Sequence, residues 1–135
     1  MSEQDQTRAF ILKVWHKMQD NQQMQGLEKI IANVILIHPE YTEILNTKNI
    51  LTEIFSPEQN PFYHMGMHIA LEEQLMSDRP TGMTHIYAQL TEKYSDHHHL
   101  QHAILGCLHT SLMNAEAHQQ MPDENSYLQC VQKLL

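Results

Sequence analysis

The chain has 135 residues, with 16 acidic against 8 basic side chains and a formal charge of −8. That length suits one domain with a substantial core, and the acidic balance lacks the basic stripe that a nucleic-acid partner requires. No basic run flanks an apolar stretch, and the longest apolar run, "IIANVILI" at 30–37, is far too short to cross a bilayer, so no membrane partner is expected either.

The polar N-terminus "MSEQDQTRAF" has no signal-peptide pattern. Ser2 and Asp5 open a first helix that turns Phe10, Ile11, Val14, Trp15 and Met18 inward, fading near "DNQQMQG". A second helix runs from about Leu27 to His38, where Pro39 interrupts it and "PEYTEIL" restarts it. A short helix is expected around Asn49–Phe55, before the loop "SPEQNP". Asn60 caps the next helix, with Pro61 in its first turn, which runs to about Ser77 and stops before "DRPTG". Further helices are expected over Met83–Tyr94, His97 to about Gln120, and Glu124–Leu135, capped by Ser95 or Asp96 and by Asp123. With only 4 glycines and no β-branched pattern, the expectation is an all-α, single-domain helical bundle of five to seven helices over 1–135. Cys107 and Cys130 are too few for a disulfide framework and read as ordinary buried thiols of a reduced, cytoplasmic protein.

Eleven histidines make roughly one His-x-x-x-His pair by chance, so two pairs prove little by number. Their placement says more. His64, His68, Leu71 and Leu75 form one helical stripe, with Glu72 a turn beyond His68. His98, His102, Leu105, His109, Leu112 and Glu116 follow the rhythm of a buried seam, with His97 and His99 to either side. Imidazoles on apolar faces must satisfy two nitrogens away from water, and a shared cation would do so for His64, His68, His98 and His102 together. Each pair spans ~6 Å along its axis, and neighbouring helices lie 8–10 Å apart, so the rings can converge. Glu72 can add an anionic ligand or accept a hydrogen bond from outside the shell. Glu116 lies too far along its helix to join. His109 is expected as a hydrogen-bonded core residue, and His38 is a candidate fifth ligand. "DRP" at 78–80 reads as a helix stop, with Arg79 pairing with Asp78 or Glu73.

The stretch "NPFYHMGMHIALEEQLMSDRPTGMTHIYAQL", followed by His98 and His102, "CL" at 107–108 and "DENSYL" at 123–128, resembles the proteobacterial domain-of-unknown-function family 1841 (DUF1841). "HPEY" at 38–41 and Trp15 fit as well, so the resemblance covers nearly the whole chain. It implies a small, helical, cytoplasmic bacterial protein. Members often carry acids between the last two histidines, where this chain has His99, Leu100 and Gln101, and a histidine where it has Thr42. His68-x-x-x-Glu72 followed by His98-x-x-x-His102 is also similar to the ligand spacing in two helices of hemerythrin-like bundles. The last helix of that family carries His-x-x-x-x-Asp, which only His118 and Asp123 offer here, with Pro122 between them; that similarity implies architecture and not a di-iron centre.

The leading expectation is a bundle that binds one transition-metal ion (Zn²⁺, Fe²⁺ or Ni²⁺) at His64, His68, His98 and His102, with Glu72 as a further ligand or the candidate base. The alternative, from another class, is a metal-free helical interaction or scaffold protein whose histidines form a buried polar seam. The sequence leaves enzymatic activity, a homo-oligomer and the nature of any protein or small-molecule partner open.

Overall fold

A computed structural model describes residues 2–135, and among them every regular element is helical. The α-helices are α1 (Glu3–Gln19), α2 (Leu27–Leu36), α3 (Thr42–Leu45), α4 (Pro61–Ser77), α5 (Met83–Lys93), α6 (His97–Ala117) and α7 (Glu124–Gln132), with single 3₁₀ turns at Pro39–Tyr41 and Pro57–Gln59. The all-α expectation holds. The chain divides into two compact units, 1–69 and 70–135, and α4 runs unbroken from the first into the second.

The helix starts follow from side chains that accept from orphan amides of the first turn. Ser2 accepts from the Asp5 amide while the Asp5 carboxylate accepts from the Ser2 amide, a reciprocal capping box. Asn60 Oδ1 accepts from the amides of Phe62 and Tyr63. Asp96 does the same for His98 and His99, and Asp123 for Asn125 and Ser126.

In the first unit, Ile11 and Val14 of α1 and Ile31 and Ile35 of α2 are almost fully buried. They pack with Phe62 and Met65 of α4 into one core cluster. Each such side chain contributes about 1.5–3 kcal/mol by leaving water. Gly66 faces α1, where an added Cβ would meet Thr7 Cγ2 at 3.5 Å, an ordinary contact.

The helix expected over 49–55 does not form; these residues make turns and extended chain. Arg8 of α1 supplies the reason. Its Nη1 donates to the carbonyls of Ile50, Leu51 and Glu53 at 3.0, 3.3 and 2.7 Å, taking acceptors that a local helix would have used. The same guanidinium lies 4.8 Å from the Phe62 ring centroid and 5.5 Å from that of Phe55.

In the second unit, Leu100 and Ile104 of α6 pack inward with Met83 and Leu90 of α5 and Val131 of α7. Tyr127 of α7 donates to Gln74 Oε1 of α4 at 2.7 Å. Burial of this phenol raises its pKa well above the usual value, so it stays a donor. Lys93 Nζ donates to the carbonyls of Leu134 and Leu135.

Two expectations about α6 need correction. Its buried face is Leu100, Gln101, Ile104, Leu105, Cys107 and Leu108, rotated from the expected seam, so His102, His109 and Glu116 are exposed and His109 is no core residue. The helix also ends at Ala117, before Gln119 enters the left-handed region at φ 52°. Cys107 and Cys130 are not separate thiols: they form a disulfide from α6 to α7. Because disulfides persist in oxidising compartments, this removes the ground on which a reduced, cytoplasmic setting was expected. No helix is long and apolar enough to cross a membrane.

The α4–α5 corner is built on Asp78, at φ 51°, and Gly82, at φ 98°. The Asp78 carboxylate accepts from the Gly82 and Thr84 amides, and Thr84 Oγ1 donates to the Leu75 carbonyl at 2.9 Å. Those amides hold the Asp78 pKa below its usual value. The peptide bond between Arg79 and Pro80 is cis. Arg79 is exposed and does not make the ion pair expected of it, whereas Lys17 and Glu28 form a salt bridge at 2.6 Å.

Candidate metal centre

In the first unit, three imidazoles converge. His38 follows α2, in the bend that Pro39 imposes, and His64 and His68 lie one turn apart in the first half of α4. The ring centroids are 5.0 Å apart for His38–His64 and 4.7 Å for both His38–His68 and His64–His68. His38 is 1 % exposed and His68 fully buried, while His64 is half-buried.

Hydrogen bonds set the orientation of these rings. His38 Nδ1 sits 2.7 Å from the Val34 carbonyl, an acceptor only, so Nδ1 carries a proton and donates it there. A backbone carbonyl behind one ring nitrogen is the arrangement that fixes metal-ligating histidines. Tyr41 stacks on the His38 ring, with ring centroids 5.3 Å apart and planes 8° from parallel. Burial, and behind it the Glu40 charge, raises the Tyr41 pKa, so this phenol stays neutral at physiological pH. The Nε2 atoms of His64 and His68 face each other at 3.2 Å.

In the second unit, His98 and His102 pair on the first two turns of α6, with ring centroids 4.2 Å apart. His98 is half-buried and His102 exposed. Between them in sequence, Gln101 is buried, and its Nε2 donates to Glu72 Oε1 of α4 at 2.6 Å. The second half of α4 therefore lies beside the first half of α6, and Glu72 meets α6 through an amide. His97 and His99 are both exposed, and His99 packs at 5.8 Å against the Tyr94 ring.

Each expected pair thus forms locally. The spacing pointed to His64, His68, His98 and His102, and named His38 as a fifth candidate. Two neighbours escaped it. Tyr41 could have been flagged only by its position three residues after His38, and Gln101 only by being a polar residue on the buried side of an otherwise apolar α6 face.

Fold and site together define a class: an all-α protein that gathers His38, His64 and His68 in one unit and His98 and His102 in the other. Within that class the chain belongs to the family described as Domain of unknown function (DUF1841), whose model matches residues 3–133. No curated protein and no solved structure matches the chain.

Proposed function

We propose that residues 1–135 act as one domain that binds a single transition-metal ion, Zn²⁺, Fe²⁺ or Ni²⁺, through His64, His68, His98 and His102, with His38 as a fifth donor. One observation carries the reading: within the first unit the rings of His38, His64 and His68 converge, with centroids 5.0, 4.7 and 4.7 Å apart. Neutral imidazole nitrogens suit those ions and not Mg²⁺ or Ca²⁺, which take oxygen ligands. The Nδ1 bond of His38 to the Val34 carbonyl supports it further, because a backbone carbonyl behind one ring nitrogen is how metal-ligating histidines are held. Glu72, a turn beyond His68 on α4, is the candidate further ligand or base, and its Oε1 accepts from Gln101 Nε2.

A second reading is favoured by a specific observation. Every buried side-chain nitrogen and oxygen among the described residues already has a hydrogen-bond partner. One of the two Nε2 atoms of His64 and His68 can donate to the other. On that reading the histidines are a metal-free polar seam of an interaction protein.

Elemental analysis of protein purified without a histidine-binding resin separates the two. The metal reading expects about one ion per chain, lost in His38→Ala, His64→Ala and His98→Ala and retained in His97→Ala. A metal-free wild-type chain that also refuses added Zn²⁺, Fe²⁺ and Ni²⁺ refutes it. Equal loss in the His97 variant would place binding on the exposed triplet instead.

A further inference from the structure

The motif "HPEY" at 38–41 folds so that its two rings meet. A proline disfavours helical backbone in the residue before it, and His38 leaves α2 at φ −125° and ψ 61°. The chain then makes one 3₁₀ turn, in which the Tyr41 amide donates to the His38 carbonyl at 3.0 Å. Side chains three residues apart eclipse in such a turn, which lays the Tyr41 ring on the His38 ring, 5.3 Å away and 8° from parallel. Thr42 Oγ1 donates to the Pro39 carbonyl at 2.9 Å, and Leu45, 2 % exposed, roots α3 in the core. His38 is therefore held twice: through Nδ1 by the Val34 carbonyl one turn back, and across its face by Tyr41 three residues on. All of these residues belong to the first unit.

The rings of α4 are held differently. His64 and His68 meet through Nε2 at 3.2 Å, so that contact must open before either Nε2 can take an ion. The Val34 bond occupies Nδ1 of His38 and can persist while Nε2 ligates. We propose that Tyr41 is a positioning residue for His38: its ring face keeps the imidazole in one orientation before the ion arrives, so that this donor enters the site preset. This inference rests on the metal reading above. Without the stacked ring, His38 would have to lose rotational freedom on ligating, and affinity would fall accordingly. Tyr41 meets His64 less closely, edge-on at 6.4 Å, so its effect runs through His38. Stacking uses the face of the ring, and the hydroxyl has no part in it.

The test uses the full chain as wild type, Tyr41→Leu and Tyr41→Phe. Leucine keeps apolar volume without a ring face, and phenylalanine keeps the face without the hydroxyl. Each is titrated near neutral pH with Co²⁺, whose visible bands report uptake. The chelated form of each is read by long-range ¹H–¹⁵N NMR of the histidine rings, which reports the His38 tautomer. In Tyr41→Leu, Co²⁺ is expected to bind about tenfold more weakly or worse, the usual scale for losing a group that orients a ligand from outside the shell. The single His38 tautomer of the chelated wild type should give way to an exchange average in the same variant. Tyr41→Phe should keep both wild-type values. Should Tyr41→Leu not fold, Tyr41→Met, which fills the space with a flexible chain, takes its place. A merely structural Tyr41 would lower the melting temperature of Tyr41→Leu and move neither readout. Either readout left at its wild-type value in Tyr41→Leu therefore overturns the inference and leaves the metal reading intact. Equal weakening in Tyr41→Phe also overturns it, since the hydroxyl would then be what acts. No Co²⁺ uptake by the wild-type chain overturns both.

Discussion

Chelation and resupply of metal at neutral pH test the histidine cluster through stability, independently of how much metal survives purification. An ion that binds only the folded chain stabilises it by mass action, about 2.7 kcal/mol at a free concentration a hundred times the dissociation constant. At ~2.1 cal/mol/K per residue the unfolding entropy of 135 residues is about 0.28 kcal/mol/K, so the expected rise in melting temperature is about 10 °C. The buried members give this its force: His38 and His68 have almost no exposure, so an unfolded chain cannot reproduce their arrangement. Differential scanning calorimetry would compare chelated protein with protein resupplied with Zn²⁺, Fe²⁺ or Ni²⁺, in the wild type and in the His64→Ala, His102→Ala double variant. The rise should appear with at least one ion in the wild type and vanish in the double variant. Superimposable curves for every ion refute the metal-binding argument and leave the polar seam. An undiminished rise in the double variant would mean that the ion binds elsewhere.

Two further outcomes follow from the second unit and the helix caps. The Cys107–Cys130 bridge closes a separation of 23 residues, which corresponds to about 3 kcal/mol of loop-closure entropy; reductant, or Cys107→Ser with Cys130→Ser, should lower the melting temperature by roughly 10 °C, and an unchanged value refutes a cross-link in the folded protein. The carboxylates of Asp78 and Asp123 are held below their usual pKa of 3.8, Asp78 by backbone amides foremost and Asp123 by the Ser126 hydroxyl foremost. A folded pKa lowered in this way contributes stability that is complete above the unfolded value and disappears as pH falls through the folded one. The melting-temperature gap between wild type and Asp123→Ala should therefore be constant near neutrality and close below about pH 4; a gap that persists at pH 2.5 would show that the carboxylate charge is not what caps α7.

The parts legible in the sequence are those whose causes are local. Ser2, Asn60, Asp96 and Asp123 bond to amides two or three residues on, so the helix starts could be read directly. The pairs His64–His68 and His98–His102 were readable because a helix brings residues four apart together. What escaped depends on partners distant in sequence. The 49–55 segment lost its helix to Arg8, more than 40 residues upstream. The α6 face was misjudged because histidines were counted as inward-facing, whereas Gln101, bonded to Glu72 29 residues earlier, occupies the buried side. Two cysteines 23 residues apart carry no sign of their pairing until α6 and α7 are folded side by side.

The corner between α4 and α5 has a consequence for how such chains can vary in length. Two left-handed residues, Asp78 and Gly82, bracket three positions, and one carboxylate spans to the Thr84 amide six residues on while Thr84 reaches back to Leu75. Adding or deleting a single residue between 78 and 84 would unseat all of these bonds together, so the corner is a fixed-length joint. The exposed connection at 20–23 has no such lattice of side-chain bonds. Insertions, peptide tags or a relocated chain break should be accepted there and rejected at the corner.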